Sequence, residues 1–128
     1  MLDHIGLTVS DFAKAKAFYD QALAPLGIAP LVGVTAEQSG GGEHAGYGSA
    51  GRPYFWIGTG PQEPGAAHVA FTTDRRATVE AFYEAALAAG GRDNGAPGVR
   101  AHYHPNYYGA FVLDPDGHNI EAVCHGPE

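Results

Sequence analysis

Two histidines stand at equivalent points of a repeated pattern. His4 opens His4-Ile5-Gly6-Leu7-Thr8, and His68 opens His68-Val69-Ala70-Phe71-Thr72, 64 residues later. Under the same gapless offset Ala17-Phe18-Tyr19 falls on Ala81-Phe82-Tyr83, Leu23 on Leu87 and Gly27 on Gly91. Two imidazoles on duplicated strands are related by a pseudo-twofold axis and can converge. A third donor, Glu121, lies in Gly117-His118-Asn119-Ile120-Glu121-Ala122. Ile120 and Ala122 occupy the opposite phase of that segment, which turns Glu121 the same way as Asn119 and Val123. Two neutral imidazoles and one carboxylate leave coordination positions open. That suits a catalytic divalent metal, Fe, Mn, Zn or Ni, better than a closed structural site.

The elements that must position these donors follow from hydrophobic periodicity. Ile5, Leu7 and Val9 alternate with His4, Gly6 and Thr8, so a strand places His4 on the face opposite its apolar row. Phe12, Ala15, Phe18, Tyr19, Ala22 and Leu23 recur at helical spacing; Ser10 or Asp11 can cap that helix, and Pro25 with Gly27 ends it. In the second copy Asp74 is the cap, Val79, Phe82, Tyr83, Ala86 and Leu87 form the stripe, and Gly90-Gly91 stop it. Three short strands follow each helix, near 28–34, 45–48 and 54–58, then near 99–103, 109–113 and 119–125. Asp114-Pro115-Asp116-Gly117 is a tight turn, because proline presets φ and glycine tolerates positive φ. Residues 60–67, with Pro61 and Pro64, have linker composition. The fold expected is α+β: one domain over 1–128, made of two βαβββ modules in tandem (about 1–60 and 65–128). Their strands form a curved mixed sheet around a central cup into which His4 and His68 point.

Bulk composition narrows the function. A net charge of −7, from 14 acidic against 7 basic residues, argues against a nucleic-acid partner. The single cysteine, Cys124, excludes an intrachain disulfide and fits a reducing, cytoplasmic compartment. No apolar run approaches the roughly 18 residues that a membrane span needs, and no signal-peptide pattern opens the chain. The partner expected is a small molecule.

Further residues belong to the cup on this reading. Phe55, Ile57 and Val123 form its apolar wall, and Arg100 and Asn119 are its polar substrate contacts. The segment Arg100-Ala101-His102-Tyr103-His104-Pro105-Asn106-Tyr107-Tyr108 is rich in polar aromatics. It reads either as a loop packed on the sheet edge or as a substrate-contact segment, with His102 or His104 as acid/base and Tyr108 as a hydrogen-bond donor near the metal. His44, His118 and His125 read as turn or solvent-facing residues. The Gly40-Gly41-Gly42 tract lacks phosphate-loop spacing.

The opening His4-Ile5-Gly6-Leu7-Thr8-Val9-Ser10-Asp11, the Ala-Phe-Tyr helices and Phe111-Val112-Leu113-Asp114-Pro115-Asp116-Gly117-His118-Asn119-Ile120-Glu121 resemble the vicinal oxygen chelate superfamily. That group includes glyoxalase I, fosfomycin-resistance enzymes, extradiol dioxygenases and bleomycin-resistance proteins. The resemblance covers nearly the whole chain and implies metal ligation by His4, His68 and Glu121, bidentate oxygen chelation of a substrate, and a homodimer. The offset of 64 puts Ile57 where glyoxalase I carries a fourth ligand, so the implied chemistry is that of a dioxygenase or lyase; the neutral-to-apolar cup suits a small or aromatic substrate better than a highly anionic one. A metal-free binding protein of the bleomycin-resistance type is the rival implication, which the acidic charge suits.

Overall fold

The computed structural model describes residues 1–60 and 67–127; most of the linker 60–67 lies outside them. Module 1 runs β1 (Ile5–Val9), α1 (Phe12–Ala22), a 3-10 turn (Ala24–Leu26), β2 (Ala29–Val34), α2 (Ala36–Ser39), β3 (His44–Ser49) and β4 (Arg52–Thr59). Module 2 runs β5 (His68–Thr72), α3 (Arg76–Ala88), β6 (Arg92–Val99), β7 (Tyr108–Leu113) and β8 (Asn119–Cys124). Asp11 caps α1 by accepting from the Lys14 N–H at 3.1 Å, and Gly27 ends the following turn at φ 76°. The N-cap of α3 is Arg75, without the side-chain cap expected from Asp74.

The strands form two four-stranded sheets, ordered β1-β4-β3-β2 and β5-β8-β7-β6. In each, the opening strand pairs in parallel with the last strand of its module and the rest pair antiparallel. The expected α+β architecture of two βαβββ modules is therefore present. Its sixth strand is displaced from the expectation: it is Arg92–Val99, not 99–103, and 100–107 is a loop. Gly95, Pro97 and Gly98 disguise this strand. It tolerates them because it is an edge strand whose register shifts between Asp93 and Gly95 and again between Gly95 and Gly98.

A single core joins the modules. Leu7, Val9, Phe55 and Ile57 from one sheet and Val69, Phe71, Ile120 and Ala122 from the other enclose the helical residues Phe18, Tyr19, Val79 and Phe82. Phe55 and Phe71 meet directly, ring centres 5.3 Å apart. The apolar faces of both sheets are spent on this core, so their other faces, which carry His4 and His68, are turned away from it.

Polar links hold the modules in register. The Tyr19 hydroxyl on α1 donates to Asp114 Oδ2 at 2.5 Å, and both residues are buried. Asp114 Oδ1 accepts from the backbone N–H groups of Asp116 and His118. Asp116 in turn accepts from Ser10, from Oγ at 2.6 Å and from the backbone N–H at 3.1 Å. His118, expected in solvent, is 3% exposed. Its Nε2–H donates to the Thr8 carbonyl at 3.1 Å and its Nδ1 accepts from the Ala67 N–H at 3.3 Å. The Asp-Pro-Asp-Gly turn is thus the latch by which module 2 grips β1 and α1. No described helix is long and apolar enough to cross a membrane.

Candidate functional site

The open face of the second sheet carries the densest set of reactive side chains. Val69 and Phe71 point into the core, which leaves His68, Ala70 and Thr72 outward. On β8, Ile120, Ala122 and Cys124 point inward, and Glu121 shares the outward face with Asn119 and Val123. His68 Nε2 lies 2.9 Å from Glu121 Oε1. The carboxylate is 1% exposed beneath a half-exposed imidazole.

Glu121 Oε2 is also bonded: the Tyr107 hydroxyl donates to it. Burial, and then this bond to Glu121, push the Tyr107 phenol well above the ordinary tyrosine range, so it stays a neutral donor. Tyr107 is the residue that sequence reasoning passed over in favour of Tyr108. Strand phase identifies it: Ala110 and Val112 are core residues, so Phe111, Gly109 and, one step further, Tyr107 lie on the Glu121 side. Tyr108 faces the helix instead. Its hydroxyl donates to Glu80 at 2.6 Å and its ring lies under the Arg76 guanidinium. It is no donor at this site.

The loop histidines are close but separate. His104 Nε2 and His125 Nδ1 are 2.6 Å apart with stacked rings, so one ring donates to the other, and Tyr107 meets both edge-on. His104 Nδ1 accepts from the Asn106 N–H. His102 is exposed and packs on Tyr103. Neither reaches Glu121 by a hydrogen bond.

His4 sits on the other sheet. It is largely exposed, its Nδ1 is 2.7 Å from Asp3, and Arg52 approaches that aspartate at 3.8 Å. The bond to His4 holds the Asp3 carboxyl below its ordinary pKa. His4 and His68 border one groove of about 500 Å³ between β1 and β5, floored by Leu26, Ile28 and Phe71. Among the described residues no three His, Cys, Asp or Glu side chains lie close enough to hold a metal ion. One copy therefore brings together two of the three expected donors, an imidazole and a carboxylate, and these alone do not make a three-ligand site.

The expected apolar wall is met only in part: Phe55 lines the groove that His4 and His68 border, while most of its side chain is core. Phe55 and Ile57 are 0% and 1% exposed and point into the core. Gly6 pairs with Trp56, and Ala70, the equivalent of Gly6, pairs with Glu121. The symmetry partner of Glu121 is therefore Trp56, because the second module carries one extra residue before β8. Trp56 lies on the open face of the first sheet, with its six-membered ring over Gly46, where an added Cβ would come within 2.8 Å of the ring. A carboxylate is absent there, as expected, and an indole takes the place. Arg100 and Asn119 do share a cavity on the open face of the second sheet.

Comparisons agree with this architecture. Residues 1–122 match the family model of the Glyoxalase/Bleomycin resistance protein/Dioxygenase superfamily. A solved glyoxalase/bleomycin resistance protein from Albidiferax ferrireducens T118 is 30% identical, with a TM-score of 0.81 over 97% of this chain and 98% of that one. A mutant of the fosfomycin resistance protein FosX from Listeria monocytogenes, complexed with Mn(II) and 1S,2S-dihydroxypropylphosphonic acid, is 21% identical, with a TM-score of 0.70 over 98% and 90%. A glyoxalase I mutant from Zea mays is 20% identical, with a TM-score of 0.72, over 98% of this chain and 45% of that one. The last two likenesses are of fold. No curated protein sequence matches the chain. The chain belongs to the glyoxalase/bleomycin resistance protein/dioxygenase superfamily.

Proposed function

We propose that this protein is a metal-dependent enzyme, a dioxygenase or lyase, acting on a small substrate with two neighbouring oxygens. His68 and Glu121 supply two ligands, and His4 of a second copy supplies the third. The observation that carries the reading is the pair itself: a buried carboxylate on an open sheet face, held by Tyr107 on one oxygen and facing an imidazole on the other. A carboxylate so oriented by a neutral donor is prepared to ligate a cation. The bound metal would be a Lewis acid for the chelated oxygens. Tyr107 fixes the carboxylate rotamer, and Phe111 packs beside His68 at 6.2 Å. With Trp56 in the symmetry-related position, the site holds one acid only, which favours these reactions over an isomerisation that needs a second carboxylate.

The composite reading is supported by where the donors stand. His4 belongs to the first sheet and Glu121 to the second; His4 and His68 border one groove, yet among the described residues no third donor closes on the His68–Glu121 pair. The unpaired edges β1 and β2 keep Ile5, Leu31 and Val32 between 37% and 41% exposed, apolar surface that a second copy would cover. The relative complexed with Mn(II) supports a hard or borderline divalent ion.

The test is metal content by mass spectrometry, with mixing of variants. His4→Ala and Glu121→Ala homodimers should each lose the metal. Their mixed dimer contains one site with both defects and one intact site, so co-refolding should restore part of the metal and of the activity. If the parent binds Mn(II), Fe(II) or Zn(II) and mixing restores nothing, the composite site is wrong. If the parent binds none, the metal-free binding reading stands; the incomplete donor set within one copy is the observation on its side.

A further inference from the structure

We infer that Arg100 forms an oxyanion subsite that takes the carboxylate of a small planar ligand and directs its body across Phe111 toward His68 and Glu121. The inference rests on the reading that His68 and Glu121 mark a substrate site, and it names the substrate class for it.

The guanidinium is built in. Nη1 donates to the carbonyls of Gly98 at 2.8 Å and Gly109 at 3.1 Å, and Nη2 donates to that of Ala96 at 2.8 Å. The doubly shifted register of β6 bends the strand around the group so that these carbonyls converge. Glycines clear the space. An added Cβ at Gly95 would lie 3.0 Å from Arg100 Nη2 and 2.9 Å from the Phe111 ring, and one at Gly98 would lie 3.2 Å from Nη1. Gly95 also has φ 151°, a conformation that side chains disfavour.

The charge remains without a carboxylate among the described residues, although acidic residues outnumber basic ones 14 to 7. A guanidinium has five N–H donors. Three are spent on carbonyls, which leaves Nε–H and one Nη2–H, the pair that grips both oxygens of a carboxylate side-on. No described residue accepts from Nε. Arg100 lines a cavity of about 380 Å³ with Asn94, Tyr103, Phe111 and Asn119. Asn94 Nδ2 donates to Asn119 Oδ1 at 3.2 Å, which fixes both amides and leaves the Asn119 amide N–H groups and the Asn94 carbonyl for a ligand. Phe111 connects the subsite to the reactive pair: its ring lies 5.4 Å from Arg100 Cζ on one side and 6.2 Å from the His68 ring on another. A flat ligand anchored at Arg100 would lie along the edge of this ring and extend toward the imidazole.

The experiment is a two-dimensional amide NMR titration of metal-free protein with benzoate, benzamide and inorganic phosphate at low ionic strength. Benzoate should saturate, with shifts concentrated at Gly95, Gly98, Gly109 and the side-chain amides of Asn94 and Asn119. Benzamide, without the charge, and phosphate, without the planar body, should each bind at least about tenfold more weakly. Arg100→Gln should weaken benzoate about tenfold or more, and Arg100→Lys should fall between, since an ammonium keeps the charge and loses the fork. Equal affinity for benzoate and benzamide overturns the subsite, as do shifts confined to another surface. If phosphate matches benzoate, the planar-carboxylate assignment is wrong. The wild-type titration decides even where Arg100→Gln fails to fold. Because no metal is used, the outcome is independent of whether His4, His68 and Glu121 bind one.

Discussion

Tyr19→Phe removes a single hydroxyl from the latch between the modules. In the parent that hydroxyl donates to Asp114 Oδ2 at 2.5 Å, with Tyr19 0% and Asp114 1% exposed. Both backbone donors to Asp114 fall on Oδ1, so phenylalanine leaves Oδ2 unpartnered. The ring keeps its packing on Phe18, Tyr47 and Phe55, and no cavity opens. A hydrogen bond to a charged group contributes about 1.5–3 kcal/mol, and stranding a buried acceptor falls in the upper part of that range. A domain of this size loses about 3–5 °C per kcal/mol, so the melting temperature should drop by roughly 6–15 °C. Urea denaturation followed by circular dichroism at neutral pH measures the free energy. A second arm uses alkali. Burial, and then the Asp114 charge, raise the Tyr19 phenol well above its ordinary value of 10.0. The folded chain therefore keeps a proton that the unfolded chain releases above that pH. Stability is intact below pH 10 and falls as pH climbs beyond it, by up to about 1.4 kcal/mol per pH unit for each such tyrosine. The variant should lack one proton's worth of that slope. A loss under about 0.5 kcal/mol at neutral pH, together with an unchanged alkaline slope, would refute the latch.

Three further outcomes are expected. His118→Ala strands the Thr8 carbonyl and the Ala67 N–H and should destabilise by about 2–4 kcal/mol in the same urea assay, whereas His44→Ala at the half-buried His44 should change little. Gly46→Ala drives a methyl against the six-membered ring of Trp56, the only tryptophan. Its fluorescence should shift as the indole leaves its seat, with a stability loss of about 1–3 kcal/mol. Tyr107→Phe removes the donor that orients Glu121 and should weaken Mn(II) or Zn(II) binding about tenfold by calorimetry. Tyr108→Phe, whose hydroxyl meets Glu80 on the helix side, should leave metal affinity unchanged.

Local period decided which readings succeeded. Alternation along 5–9 and 68–72 turned His4 and His68 outward, and alternation along 119–124 turned Glu121 outward, because each strand buries one face and a period of two admits no intermediate. The same rigidity made the symmetry argument fragile. The gapless offset that aligned β1 with β5 was carried unchanged to β4 and β8, and one extra residue in the second module moved every side chain there to the opposite face. Ile57 was thereby exchanged for Trp56. Applying the phase of Ala110 and Val112 backwards would have selected Tyr107 over Tyr108. β6 was hidden for a different reason: its glycines and proline carry a loop signature, and pairing with β7 overrides it.

Distance between donors obeys no local rule. That His68 meets Glu121 follows from parallel pairing of β5 with β8, a contact within one module that the repeat itself implies. Whether His4 joins them depends on which faces of two sheets are turned toward each other, and that is set by the helices. α1 and α3 each present a broad apolar face, and burying both between the sheets yields one core where two separate modules would each have a thin one. Within one copy His4 and His68 then share only a groove, and no three donors close on a metal among the described residues. Duplicating a module with one ligand-bearing strand therefore produces matching half-sites, and on the proposed reading a second copy would complete them. A chain in which Glu121 binds a metal with no contribution from any other copy's His4 would contradict this account of why the duplicated fold places its histidines where it does.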